Sequence, residues 1–317
     1  MECLGTNNFV CSSLPLLLTM GNARSDAQSY RDGYPDREDP PLSEAHANLD
    51  FYQNKISSTP DGNFIDVILQ TWKGQYNILE EHHTYIQWLF PIREQGVNQM
   101  AQPLTLYEAE AIKKDPEAMQ RVVLAYRMML EFYGMQLDDE STGAVARATK
   151  GGSPKVAGND YGYGMSEEDQ RERYSNLNMS FHNNLRITRI LKCLGELGLE
   201  HYKLPFIQHC LVEIYEGNRP LRNCEESCCD YWVAVLRSDE ERASVQQYID
   251  EHRTDPEDLK MRRNIQMVGA LGLMGGISEE YAAEMEDNNR AKREAAAVEV
   301  ENGGTRKAEE EQEKGET

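Results

Sequence analysis

The chain has 317 residues, 39% of them hydrophobic, and its 54 acidic against 33 basic side chains leave a formal charge of −21. Such a field repels polyanions, so nucleic-acid binding is disfavoured unless a local basic patch outweighs it. Residues from Glu279 onward hold 13 acidic and 6 basic side chains, so −14 remains on the rest and the folded part is itself acidic.

Leu14 to Met20 is the strongest early apolar run, but Glu2 is the only charge before it, so the basic lead of a secretory signal is missing. Nowhere do about 18 apolar residues run uninterrupted, so no membrane-spanning helix is expected. Residues 21–45 are rich in Asp, Arg, Ser, Gly and Pro, and with the residues before them they are predicted to form a disordered arm over 1–45. A helical domain is predicted over 46–253.

Within that domain Pro60-Asp-Gly62 signals a turn, and Ile65, Ile68, Leu69 and Trp72 follow at the spacing of one helix face. A second helix is predicted from Tyr76 to Phe90, stopped by Pro91, which lacks an amide and clashes one turn back. Thr105-Leu-Tyr-Glu108 is a capping box that opens a third. Asp115-Pro-Glu opens a fourth, closed by Gly134, with Met119, Val122, Val123, Tyr126, Met129, Leu130 and Tyr133 in one stripe.

The only period-two pattern lies near Gly143 to Ala148. A glycine-rich stretch from Lys150 to Gly164 reads as a flexible insertion, about 149–170. His182 to Tyr202 is the most informative segment: Ile187, Ile190, Leu191, Leu194 and Leu197 make an apolar stripe, with His182, Arg186 and Arg189 beside it and Gly198 placed to end the helix in a left-handed turn. Further helices are expected at Leu204 to Tyr215, Cys228 to Leu236 and after Asp255-Pro-Glu. Beyond the glycine cluster 269–276 an acidic, largely disordered tail ends the chain, within a terminal region of 254–317. The fold class is all-α: a single globular multi-helix domain with a disordered N-terminal arm and an acidic C-terminal tail.

Seven cysteines, Cys3, Cys11, Cys193, Cys210, Cys224, Cys228 and Cys229, are an odd number in a chain too large to need staples, which fits a reducing compartment. Cys224, Cys228 and Cys229 resemble half a zinc site, but the only other candidate ligands are the isolated His201 and His209, so ordinary helical thiols are the preferred reading. Glu80-Glu81-His82-His83 invites acid–base chemistry, yet adjacent histidines on a helix point about 100° apart. No nucleophile with a base, zinc helix or phosphate loop is present, so neither catalysis nor a cofactor is expected.

His182, Arg186 and Arg189 read first as partners of acidic side chains in the same domain, and second as a fork for a ligand carboxylate. Trp72, Trp88, Phe90 and Tyr85 read first as core and second as an aromatic groove. Basic clusters at Lys260 to Arg263, Arg290 to Arg293 and Arg306-Lys307 are weak import signals, each diluted by acids.

Read in order, Asn48-Leu-Asp-Phe-Tyr52, Pro60-Asp-Gly62, Trp72, Leu79-Glu80, Tyr85-Ile-Gln-Trp-Leu-Phe-Pro91, Pro103-Leu-Thr105, Met129-Leu-Glu-Phe-Tyr-Gly134, Asn176-Leu-Asn178 and His182-Asn-Asn-Leu-Arg-Ile-Thr-Arg-Ile-Leu191 resemble the shared N-terminal region of the opioid growth factor receptor family. The glycine-rich insertion is the expected departure from it. The resemblance implies an unconventional opioid receptor that binds the peptide Met-enkephalin and restrains growth from the nucleus and perinuclear cytoplasm, with peripheral association to the nuclear membrane. Candidate ligand-binding residues on that reading are Arg186 or Arg189 for the peptide carboxylate, Glu80 or Glu81 for its amine, and His182 and Trp88 beside them. The alternative is a helical protein–protein interaction module with no opioid role.

Overall fold

The computed structural model describes residues 20–41, 45–149 and 165–253, the first six as backbone only. The predicted tail from 254, its helix after Asp255 and residues 150–164 of the insertion lie outside the described residues. Twelve α-helices are found among those described: α1 (Met20–Arg31), α2 (Ala47–Tyr52), α3 (Ile65–Thr71), α4 (Tyr76–Glu81), α5 (Ile86–Leu89), α6 (Leu106–Lys114), α7 (Pro116–Phe132), α8 (Glu167–Met179), α9 (Phe181–Glu196), α10 (Lys203–Tyr215), α11 (Glu225–Ser227) and α12 (Asp239–His252). The fold class is all-α. The β structure among the described residues is one antiparallel hairpin, β1 (Met135–Asp139) and β2 (Ala144–Arg147), with Met135 opposite Arg147. No described helix is long and apolar enough to cross a membrane.

α7 forms where the sequence puts it. The Asp115 carboxylate accepts from the amides of Glu117 and Ala118, which have no carbonyl partner in the first turn, and Pro116 occupies the first helical position, where a missing amide does no harm. The predicted stripe is buried apart from Met119, which is partly so, but Ala118, Ala125, Met128 and Phe132 are buried as well. The helix is covered on more than one face because α2, α3 and α6 pack on it alongside β1. Tyr126, Met129, Leu130 and Tyr133 surround one interior space with Ile187, Ile190 and Leu191 of α9 and Phe206 of α10. α9 ends as its sequence implies: Gly198 takes φ +82° and the Leu199 amide donates to the Leu194 carbonyl at 2.7 Å, closing the last turn.

Four expectations are corrected. The predicted helix over 76–90 is two helices, because His82 leaves helical geometry at ψ 135° and the Thr84 hydroxyl donates to the Asp61 carboxylate. The histidine pair therefore sits in a break rather than on a helix. The arm expected over 1–45 contains α1 and a following turn that bury Ala27, Tyr30 and Tyr34 in the core; residues 1–19 lie outside the described residues. The insertion expected to reach 170 gives way earlier to α8, whose start Ser166 caps by accepting from the Asp169 amide. The segment from Cys228 to Leu236 is helical but irregular, a π-turn over Cys228–Trp232 followed by a 3-10 turn over Val233–Val235.

The capping box of α6 does more than close one helix. Glu108, fully buried, accepts from the Thr105 amide at 3.0 Å, the Thr105 hydroxyl at 2.8 Å and the Gln102 side chain at 3.0 Å. It also accepts from the amides of Asn48 at 2.9 Å and Leu49 at 3.4 Å, the unpaired N-terminal donors of α2, whose own cap residue His46 supplies none. One carboxylate thus ends two helices about 60 residues apart. Glu108→Ala is expected to cost about 3 to 5 kcal/mol in urea unfolding, because it orphans buried donors on both helices, against about 1 kcal/mol for Thr105→Ala, which removes a single cap.

Candidate functional site

The side chains singled out in the sequence meet where α9 crosses the break between α4 and α5. α4 has only six residues and α5 four, so each ends in carbonyls that its own turns cannot satisfy. Arg186 is buried and projects into that break. Its Nη1 donates to the Leu79 carbonyl at 2.8 Å and to Asn183 Oδ1 at 3.1 Å. Its Nη2 donates to the carbonyls of Glu80 at 3.2 Å and His82 at 2.7 Å, and to His83 Nδ1 at 2.9 Å. The guanidinium also lies over the Tyr85 ring, 5.5 Å from its centroid, while the Tyr85 hydroxyl donates to the same Leu79 carbonyl at 3.0 Å.

Three residues further on, Arg189 does the same for α5: its Nε donates to the Phe90 carbonyl at 2.7 Å, and burial draws its pKa down to about 10 despite the opposing pull of Cys193 and Glu94. Both arginines bond within the domain, but to backbone carbonyls rather than to the expected carboxylates. A guanidinium with five donors suits several carbonyls at once, and the negative end of a helix draws the cation there.

Glu80 faces the other way, half-buried at the surface. Its Oε2 accepts from Asn176 Nδ2 at 2.8 Å and Asn183 Nδ2 at 3.1 Å, and His182 Nε2 lies 2.8 Å from Oε1. Burial alone would raise this carboxyl, but the His182 imidazole beside it and the hydrogen bonds from Asn176 and Asn183 outweigh burial and hold the pKa at about 2. His83 packs edge-on to His182 with ring centroids 5.5 Å apart. Partial burial first, and then the charge of Arg186, keep the His83 imidazole below its ordinary range, so neutral Nδ1 is free to accept from the guanidinium. His82 stacks at a tilt on Trp72 and stands 3.8 Å from Asp61.

Glu80, His182 and Arg186 are thus brought together, and Arg189 stands one turn away. Glu81 is on the exposed side of α4 and outside the cluster. Trp88 is interior, its Nε1 donating to the Thr59 carbonyl at 3.0 Å and its ring 5.2 Å from Phe51, so it lines no groove. Asn176 and Asn183, which fix the Glu80 carboxylate, were not singled out from the sequence. Their sequence signal is their place in the Asn176-Leu-Asn178 and His182-Asn-Asn184 runs. Cys224, Cys228 and Cys229, whose spacing resembles half a zinc site, are free and buried, and burial raises all three thiols.

Replacing Arg186 by Met is expected to cost about 3 kcal/mol in urea unfolding, because the carbonyls of Leu79, Glu80 and His82 lose their donor in the interior. Arg186→Lys recovers only part, since an ammonium cannot reach the same set of acceptors. Glu80 carries its own pH signature. A carboxyl lowered from 4.5 to about 2 on folding adds stability that is fully present above pH 4.5 and disappears as the folded group takes its proton near pH 2. The stability gap between wild type and Glu80→Gln is therefore expected to be constant from pH 7 to 5 and to shrink towards pH 2 in denaturant titrations.

The family model for the opioid growth factor receptor conserved region matches residues 42–152 and 155–263. The match covers the whole cluster and breaks at 153–154, inside the glycine-rich segment, while covering the rest of that segment. The opioid growth factor receptor of Mus musculus is 45% identical over 230 residues, 73% of this chain and 33% of that protein. Opioid growth factor receptor-like protein 1 of Rattus norvegicus is 44% identical over 236 residues, 74% of this chain and 46% of that protein. The Homo sapiens receptor is 42% identical over 230 residues, 73% of this chain and 31% of that protein. The chain spans about a third to a half of the length of these curated relatives. No solved structure matches. Identity above 40% across nearly three quarters of the chain, together with a family model whose match includes the residues of the α4–α5–α9 junction, makes the chain a member of the opioid growth factor receptor family.

Proposed function

We propose that the chain is an opioid growth factor receptor-like protein that binds a short opioid peptide of the Met-enkephalin kind and regulates cell growth by binding, without catalysis, from the nucleus and perinuclear cytoplasm. The observation that carries this reading is the family match through residues 42–263, whose relatives are named as receptors or receptor-like proteins. The chemistry at the α4–α9 junction suits a zwitterionic peptide. Its amine would meet the Glu80 carboxylate, 26% exposed, and the exposed Glu81.

The peptide carboxylate would meet His182, 40% exposed, because the donors of Arg186 are already given to carbonyls. Arg186 and Arg189 are then positioning residues, holding the α4–α5 break in the shape that presents Glu80 and His83. Leu185 is 69% exposed one turn from His182 on α9 and offers apolar contact.

A docking module with no opioid role is the second reading. It is favoured by Val97 and Met100, 89% and 58% exposed in the loop between α5 and α6. Titration of labelled Met-enkephalin against the full chain is expected to saturate, with about tenfold weaker binding to the Glu80→Gln, Glu81→Gln double variant, equivalent to about 1.4 kcal/mol. Non-saturable binding, or equal binding of a scrambled peptide, defeats the receptor reading. Loss of a cellular partner from a Val97→Asp, Met100→Asp variant alongside that result selects the docking module.

A further inference from the structure

Tyr30 and Tyr34 lie ahead of the family-matched residues, which begin at 42, yet both are buried in the core. Tyr30 is held by its phenol. The hydroxyl donates to the Lys192 carbonyl at 3.1 Å and accepts from Lys203 Nζ at 2.6 Å. Three cations surround the ring: Arg237 Cζ at 4.5 Å, Lys203 Nζ at 4.7 Å and Lys192 Nζ at 5.7 Å from its centroid. Gly195 makes the floor, where a Cβ would collide with the Tyr30 hydroxyl and stand 2.6 Å from Lys203 Nζ. The cavity is thus shaped for a phenol and polar at its end. A phenylalanine there would leave the Lys203 donor without that acceptor in a buried site.

The walls keep their partners without Tyr30. Lys203 pairs with Glu200 at 2.8 Å, Arg237 with Glu196 at 2.8 Å, and Lys192 with Glu94 at 2.6 Å. Uncovering an apolar floor exposes surface that water disfavours, whereas uncovering paired ions returns them to the solvent whose loss was the penalty of covering them. Beyond the buried Ala27 and Tyr34, the rest of the segment is fastened by polar contacts: Arg31 donates to the Ala234 carbonyl, the Tyr34 hydroxyl to Glu94 at 2.8 Å, Arg93 to the Gly33 carbonyl at 2.8 Å, and the Leu106 amide to Asp39 at 2.7 Å. Water can replace each of these.

We propose that the family-matched region carries a tyrosine-accepting pocket, floored by Gly195 and walled by Lys192, Lys203 and Arg237, which this chain fills with its own Tyr30. Residues 26–41 are then a displaceable strap, and the pocket's outside ligand is a peptide that presents a tyrosine side chain. The proposal goes beyond the enkephalin reading and stands whichever peptide the chain takes at the α4–α9 junction.

The test uses the full chain and a labelled synthetic peptide of residues 26–41. Tyr30→Ala empties the pocket, so that variant is expected to bind the peptide about tenfold or more tightly than wild type, and a peptide carrying Tyr30→Phe about tenfold more weakly than the native peptide. Equal affinity for the two chains, or for the two peptides, overturns the proposal. Because Tyr30→Ala removes a fully buried ring, Tyr30→Phe in the full chain provides a second reading by hydrogen exchange. Exchange is expected to rise about tenfold at amides 26–41 alone, with α7 and α9 unchanged. A uniform rise across 45–253, or no rise in 26–41, also overturns it.

Discussion

Two guanidiniums on one face of α9 end two helices that could not end themselves. A six-residue and a four-residue helix have too few internal hydrogen bonds to persist alone, and their terminal carbonyls face the interior. Arg186 and Arg189 supply the missing donors from roughly 100 residues away in sequence, so the docking of α9 stabilises the α4–α5 break. The exposed ends of Glu80, His82 and His83 are set by that docking. Local sequence alone would have continued the helix, since no glycine or proline falls between Tyr76 and Phe90.

This explains which parts of the fold were legible in the sequence. α7 and α9 are legible because each carries a long apolar stripe with a cap or a glycine at its end, and those signals are local. α8 and α12 leave little local signal for the opposite reason. α8 buries Gln170, Tyr174 and Leu177, and α12 buries Val245 and Ile249, so each makes a few contacts at helical spacing within an otherwise charged surface. α1 looks disordered in sequence because its anchor is a tyrosine. Composition scores Tyr30 among polar neighbours, whereas its worth comes from a hydroxyl between Lys203 and the Lys192 carbonyl, two groups that are more than 160 residues distant in the chain.

The site was half legible for a related reason. Glu80, His182 and Arg186 do converge, and helical spacing on α9 was enough to group two of them. Their roles were not readable, because a buried arginine needs acceptors of any kind and the sequence displays only the carboxylates. Carbonyl acceptors appear when a helix is broken, and the break at His82 is itself a tertiary effect. Trp88 shows the same limit in reverse: an aromatic next to a polar run looks like a groove, but the Thr59 carbonyl and Phe51 claim it for the interior.

Where cations end up changes what an approaching molecule meets. Lys192, Lys203 and Arg237 are matched by Glu94, Glu200 and Glu196, so those pairs subtract equal positive and negative charge from the surface. Arg186 and Arg189 are different, because neutral carbonyls absorb their hydrogen bonds and leave their charge facing inward. The surface is therefore more acidic than a formal charge of −21 suggests. A ligand approaching the α4–α9 junction meets the carboxylates of Glu80 and Glu81 before any guanidinium. A cationic group, rather than an anionic one, is what the field of the protein would draw to this junction.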